Sequence, residues 1–91
     1  MPTIDNILNI DNARVVIALD EAADKLERVG GEMVLDFSSV QRFDSGTVRA
    51  IEHLANIADK KAVKVALRGV NIDLYKTLKL MKLTDRFTFL N

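Results

Sequence analysis

The sequence predicts an α/β layer fold: one open sheet, at least partly parallel, with amphipathic helices laid against it. Three observations carry this. Short apolar runs of strand length alternate with longer segments whose apolar residues recur at helical spacing. One proline and four glycines leave few interruptions, so the connections are short. With 91 residues, 48% of them hydrophobic, the chain can build one core and reads as a single domain over residues 1–91.

The elements follow in order. Ile4–Ile10 mixes polar and apolar residues and is a candidate first strand. Asp11 and Asn12 then offer capping oxygens ahead of a periodic segment. Val15, Val16, Leu19, Ala22, Ala23, Leu26 and Val29 share one helical face there. Glu21–Lys25 and Asp24–Arg28 are acid-first pairs four apart on the other face, each adding a few tenths of a kcal/mol at about this spacing. Gly30 and Gly31 end the helix.

Met33–Phe37 is an apolar run that reads as a buried strand, followed by a loop over Ser38–Arg42. Val48, Ile51, Leu54, Ala55 and Ala58 mark a second helix, with Arg49, Glu52, His53 and Asn56 facing outward. Val63–Leu67 is another strand, with a turn at Gly69. Leu74, Tyr75, Leu78 and Met81 form a third helical stripe, with Lys76, Lys79 and Lys82 mainly opposite. Phe87–Leu90 is the last strand.

Composition removes several function classes. The chain has no cysteine, which excludes disulfides and thiolate metal sites and suits a reducing compartment. It begins with no basic segment followed by an apolar run, so no signal peptide is expected. No apolar stretch reaches the roughly 18–20 residues of a membrane span. A cytoplasmic protein that does not span the membrane is the expectation. The net charge is zero but polarised: residues 1–59 carry eleven acids and five bases, residues 60–91 eight bases and two acids. Such a molecule orients near a charged partner, or simply carries two solvated faces that offset each other. Nucleic acid is not expected, because no dense basic run or aromatic–basic alternation is present.

Catalysis is not expected either. His53 is the lone histidine and lies on the polar side of its helix, with no orienting partner in sight. One histidine and scattered carboxylates give no metal-ligand spacing, and no cofactor is implied. Gly46 stands alone with no lysine after it, so there is no phosphate loop, and no nucleophile elbow surrounds any serine. What stands out is Arg42–Val48 (RFDSGTV), where an acid, a hydroxyl, a glycine and a second hydroxyl precede a helix. Asp44 or Ser45 caps that helix, and its N–H groups would equally stabilise a phosphate added to a hydroxyl there.

Taken together, an apolar strand ending in Asp36-Phe37-Ser38, Phe43-Asp44-Ser45-Gly46 opening a helix, then Val63–Val70 (VKVALRGV) and Leu78–Asp85 (LKLMKLTD) resemble the STAS family. The likeness covers roughly Asn12 to Leu90. Its best-known members are bacterial anti-sigma factor antagonists, regulators of transcription. The resemblance implies a small mixed β-sheet of about four strands with amphipathic helices packed on one side. It also implies a partner-binding surface around the start of the second helix. On this chain that surface comprises Ser38, Ser39, Asp44, Ser45, Gly46, Thr47, Arg49 and His53.

In antagonists, a kinase-type anti-sigma factor phosphorylates a hydroxyl in the motif, and the phosphate blocks capture of that factor. Carried over, Asp44 is the leading acid and Ser45 the first hydroxyl. The usual acceptor position is Gly46, and Thr47 stands where the family has glycine. Ser45, ahead of Thr47, is the phosphorylation candidate that remains, although a shift of one residue turns a helical side chain by about 100°. Other members of the family are scaffold subunits that bind the ATPase of a lipid ABC transporter without phosphorylation, and the missing hydroxyl favours that alternative. A small-ligand carrier or enzyme is the least supported class. The family commonly places two strands before the first helix, where this chain has room for one; an edge so exposed invites a second copy, hence a homodimer.

Overall fold

Strands and helices alternate strictly along the chain. β1 (Ile7–Asn9), α1 (Val15–Leu26), β2 (Glu32–Asp36), α2 (Ser45–Lys61), β3 (Lys64–Arg68), α3 (Ile72–Leu80) and β4 (Thr88–Leu90) follow one another, with a 3-10 turn over Thr84–Arg86 before β4. This computed structural model describes residues 7–28 and 31–90. The strand order in the sheet is β1-β2-β3-β4, and each neighbouring pair is parallel.

That order fixes the layers. A parallel strand–helix–strand step is right-handed, and three such steps in one direction place every helix on the same face. The register agrees: Leu8, Leu35, Leu67 and Phe89 form one row across the sheet and turn toward the helices. Leu19, Ala22 and Leu26 of α1, Ile51, Leu54, Ala55 and Ala58 of α2, and Leu74 and Leu78 of α3 close over that row as one core. The helices on one side are as the resemblance implies. The sheet corrects one expectation: among the described residues it is purely parallel rather than mixed.

Other expectations shift at their ends. The first strand begins at Ile7, and residues 4–6 of the predicted run lie outside the described residues. α1 stops at Leu26, earlier than the glycines suggested, and Val29 and Gly30 are likewise outside the described residues. Val16 falls on the exposed side of α1. The ion pairs of the described residues include Asp36–Arg68 and Asp59–Arg86 but neither Glu21–Lys25 nor Asp24–Arg28. In α3 only Leu74 and Leu78 are buried, while Tyr75 and Met81 are exposed. A nine-residue helix at the flank of the layer needs only a narrow apolar stripe.

Candidate functional site: the start of the second helix

Parallel strands carry all the β–α loops to one end of the sheet, where the helix N-termini also lie. Asp44 starts α2. Its Oδ1 accepts from the Thr47 N–H at 2.9 Å, and the Thr47 hydroxyl reaches back to the Asp44 N–H at 3.5 Å and to Oδ1 at 3.2 Å. This is a reciprocal capping box, and it satisfies donors the helix itself leaves free. The Thr47 N–H and hydroxyl, together with the Gly46 N–H, hold the Asp44 carboxyl below its ordinary pKa.

The helical turn then sorts the motif. Thr47 faces the core and is 3% exposed, whereas Ser45 is exposed one position beyond the cap. Arg49 and His53 follow Ser45 at four-residue steps, so all three lie along the outward face of α2, over about 12 Å. Gly46 is half-buried; a Cβ there would meet Asp44 Oδ1 at 3.2 Å and Val16 Cγ2 at 3.8 Å. A side chain at 46 therefore crowds the oxygen that caps the helix. Thr47, expected on the contact surface, is instead part of the cap: its burial and hydrogen bonds remove it from the exposed set.

The loop leading into α2 is tied at several points. Asn12 Oδ1 accepts from the Gln41 N–H at 2.9 Å, so Asn12 bridges to this loop rather than capping α1. Arg14 holds the N-cap position of α1 with no side-chain cap, and Asp11 closes a local turn onto the Ala13 N–H. From the other side Asn71 caps α3 through the Leu74 N–H at 2.8 Å and donates to the Val40 carbonyl at 3.2 Å. Ser38 and Ser39, both exposed, sit where the loop leaves β2. The Ser38 N–H donates to Asp36 Oδ1 at 2.9 Å, and Arg68 pairs with Asp36 Oδ2 at 2.8 Å. Hydrogen bonds from Ser38 and then from Arg68 lower the Asp36 pKa to about 2. Gly69 presses against this point: a Cβ there would lie 2.3 Å from Ser38 Oγ and 2.9 Å from its backbone, and its φ is +72°.

Arg14 escaped the sequence reading, and Arg42 entered it only as a loop residue and the first residue of RFDSGTV. Arg14 and Arg42 line a groove of about 460 Å³ between the starts of α1 and α2, together with Val16, Ile17, Phe43 and Asp44. The signal available was a base just ahead of each helix start, which is unremarkable until topology brings the two starts together. His53 belongs to a second groove between α1 and α2, of about 440 Å³, beside Asp20, Asp24 and Glu27. Among the described residues no cluster of histidine and carboxylates could hold a metal ion, and no helix is long and apolar enough to cross a membrane.

The chain is similar to known proteins in sequence and in fold. The chain is 39% identical over 57 residues to the intermembrane phospholipid transport system binding protein MlaB of Escherichia coli and to its Shigella flexneri counterpart, an alignment covering 63% of this chain. It spans about three-fifths of the length of those curated relatives, 59%. A crystal structure of a candidate anti-sigma factor antagonist from Thermotoga maritima superposes over all of this chain and 75% of that one, with a TM-score of 0.70 at 23% identity, a likeness of fold. A family model described as STAS domain matches residues 9–91. The chain belongs to the STAS domain family.

Proposed function

We propose that this chain is a non-catalytic docking module of the cytoplasm. It would engage the ATPase subunit of a lipid transporter through the outward face of α2 and the loops around its start, without phosphorylation. One observation carries the reading: the acceptor position holds Gly46, and the next hydroxyl, that of Thr47, is buried in the capping box. A surface with no exposed hydroxyl at the switching position suits a constitutive contact. The likeness to a phospholipid transport binding protein supports the same choice.

Ser45 favours a second reading. It is exposed at a helix N-terminus, where added phosphate would meet the positive end of the dipole. A kinase-type anti-sigma factor acting on Ser45 would make the chain a switched antagonist. Affinity capture from native lysate, combined with intact-mass measurement of the bait, separates the two. The transporter reading expects an ATPase subunit on an unmodified bait, lost in Arg49→Glu and insensitive to an added kinase partner. A bait carrying one phosphate, with binding abolished by Ser45→Asp, would replace it with the switched antagonist.

A further inference from the structure

We propose that the outward face of α3 and the turn after it form a docking surface for an anionic lipid bilayer. This surface is separate from the α2 site and does not depend on the identity of the protein partner there. On α3, Leu74 and Leu78 point into the core. Ile72, Lys76 and Leu80, at four-residue steps, therefore run along the opposite side, with Lys79 beside them. Leu80 is 84% exposed and Ile72 71%, and Met81, just past the helix, is 49% exposed. These are the most exposed large apolar side chains among the described residues, and none of them lines the grooves at α1 and α2. They stand out from the surface and alternate with Lys76, Lys79 and Lys82, all exposed.

The turn adds an independent observation. Lys82 follows α3 at φ +60°, with the Leu83 N–H bonded to the Leu78 carbonyl at 2.9 Å. That position of a helix-ending motif favours glycine, yet it holds a lysine beside Leu80 and Met81. Tyr75 stacks edge-on against Phe89 with ring centroids 5.1 Å apart, which ties the helix to β4.

Charge and shape together select the occupant. Three exposed lysines, Lys76, Lys79 and Lys82, lie in this stretch, against two acids, Asp73 in the first turn of α3 and Asp85 in the following 3-10 turn. Apolar tips ringed by lysines and standing proud of the surface match an interface whose headgroups are anionic and whose acyl layer is soft; a folded partner would instead need a pocket for each tip. A single short helix gives weak, reversible association, which suffices when a second contact holds the protein nearby.

The test is cosedimentation of the whole chain with vesicles of phosphatidylcholine alone and with about one-third phosphatidylglycerol. Binding is expected only to the anionic vesicles and is lost near 0.5 M salt, where the Debye length falls to about 4 Å. Leu80→Ser should lower the partition coefficient about tenfold, and Lys76→Gln or Lys79→Gln about fivefold each. Lys82→Gly is the decisive variant: it should raise Tm while also weakening binding about fivefold, a combination that damage to the fold cannot give. Arg49→Glu should leave vesicle binding unchanged, which keeps this result distinct from failure of the α2 reading. No binding to anionic vesicles, equal binding to neutral ones, or binding unmoved by the lysine variants would overturn the proposal. So would a dimer in sedimentation velocity that Leu80→Ser dissolves, which would assign the face to a second copy.

Discussion

The start of α2 and the end of α3 solve opposite problems with the same backbone rules. At the start of α2, hydrogen bonds from outside the helix define the surface: Asn12, Asn71 and the Asp36–Arg68 pair hold the incoming loop, and Asp44 and Thr47 close the cap. At the end of α3 the helix closes on its own backbone, with Lys82 in a left-handed conformation and the side chains left outside. The first surface is positioned; the second is only displayed. Positioning suits recognition of a shaped protein partner, whereas display suffices for an interface without fixed shape. Substitutions should therefore act on the two regions with different severity.

The largest expected effect lies where the positioned loop meets its support. Gly69→Ala would drive a Cβ to within 2.9 Å of the Ser38 backbone at a φ of +72°. A flexible side chain can turn away from such a contact, but backbone cannot. We expect a loss of about 2–4 kcal/mol in urea unfolding, with the loop into α2 displaced. A loss below about 1 kcal/mol would mean that this loop is held loosely and that the two regions differ little in how firmly they are positioned.

How much of this was legible follows the range of the interactions. The alternation of elements, a cap at Asp44 or Ser45 and the outward placement of Arg49 and His53 are local, set within a turn or two of helix, and the sequence states them. Asn12 is the instructive failure. Its type and position suit a helix cap, but its oxygen accepts from Gln41, 29 residues away, a pairing that exists only once β1 and β2 lie side by side. The groove between Arg14 and Arg42 is invisible for the same reason. Thr47 could have been read correctly: two positions after Ser45 on a helix is a turn of about 200°, toward the core stripe of Val48, Ile51 and Ala55. The purely parallel sheet was within reach too, since each predicted strand pair is separated by a helix of crossover length.

A smaller effect tests the electrostatic part of the same support. In the folded protein the Asp36 carboxyl titrates at about 2, against 3.8 ordinarily, held down by Ser38 and Arg68. The unfolded chain therefore takes up the proton first as pH falls. The contribution is complete above about pH 5 and disappears as the pH drops toward 2. Because Arg68 is 41% exposed, solvent screening reduces it to about 1–2 kcal/mol at neutral pH. Asp36→Asn should lower the urea midpoint at neutral pH and converge with the unsubstituted protein near pH 2. A gap that persists at low pH would assign the effect to lost hydrogen bonds rather than to charge.

The smallest effect sharpens the comparison most, because the molecule contains its own control. Ala62 ends α2 at φ +56°, as Lys82 follows α3 at φ +60°, and in both cases the next residue's N–H closes back onto the helix, Val63 to Ala58 and Leu83 to Leu78. Both side chains are in a conformation that glycine tolerates better, so Ala62→Gly and Lys82→Gly should each stabilise the fold by about 0.5–1 kcal/mol. The greater freedom of glycine in the unfolded chain keeps the gain near the lower figure. Equal gains would establish that Lys82 contributes no more to folding than an alanine does at the matching position. Its retention would then have to be explained by what the charge meets outside the fold, and only the Lys82 substitution should alter binding to anionic vesicles. If Lys82→Gly instead destabilised the protein while Ala62→Gly did not, the lysine would be a structural part of the turn, and the end of α3 would be positioned rather than displayed.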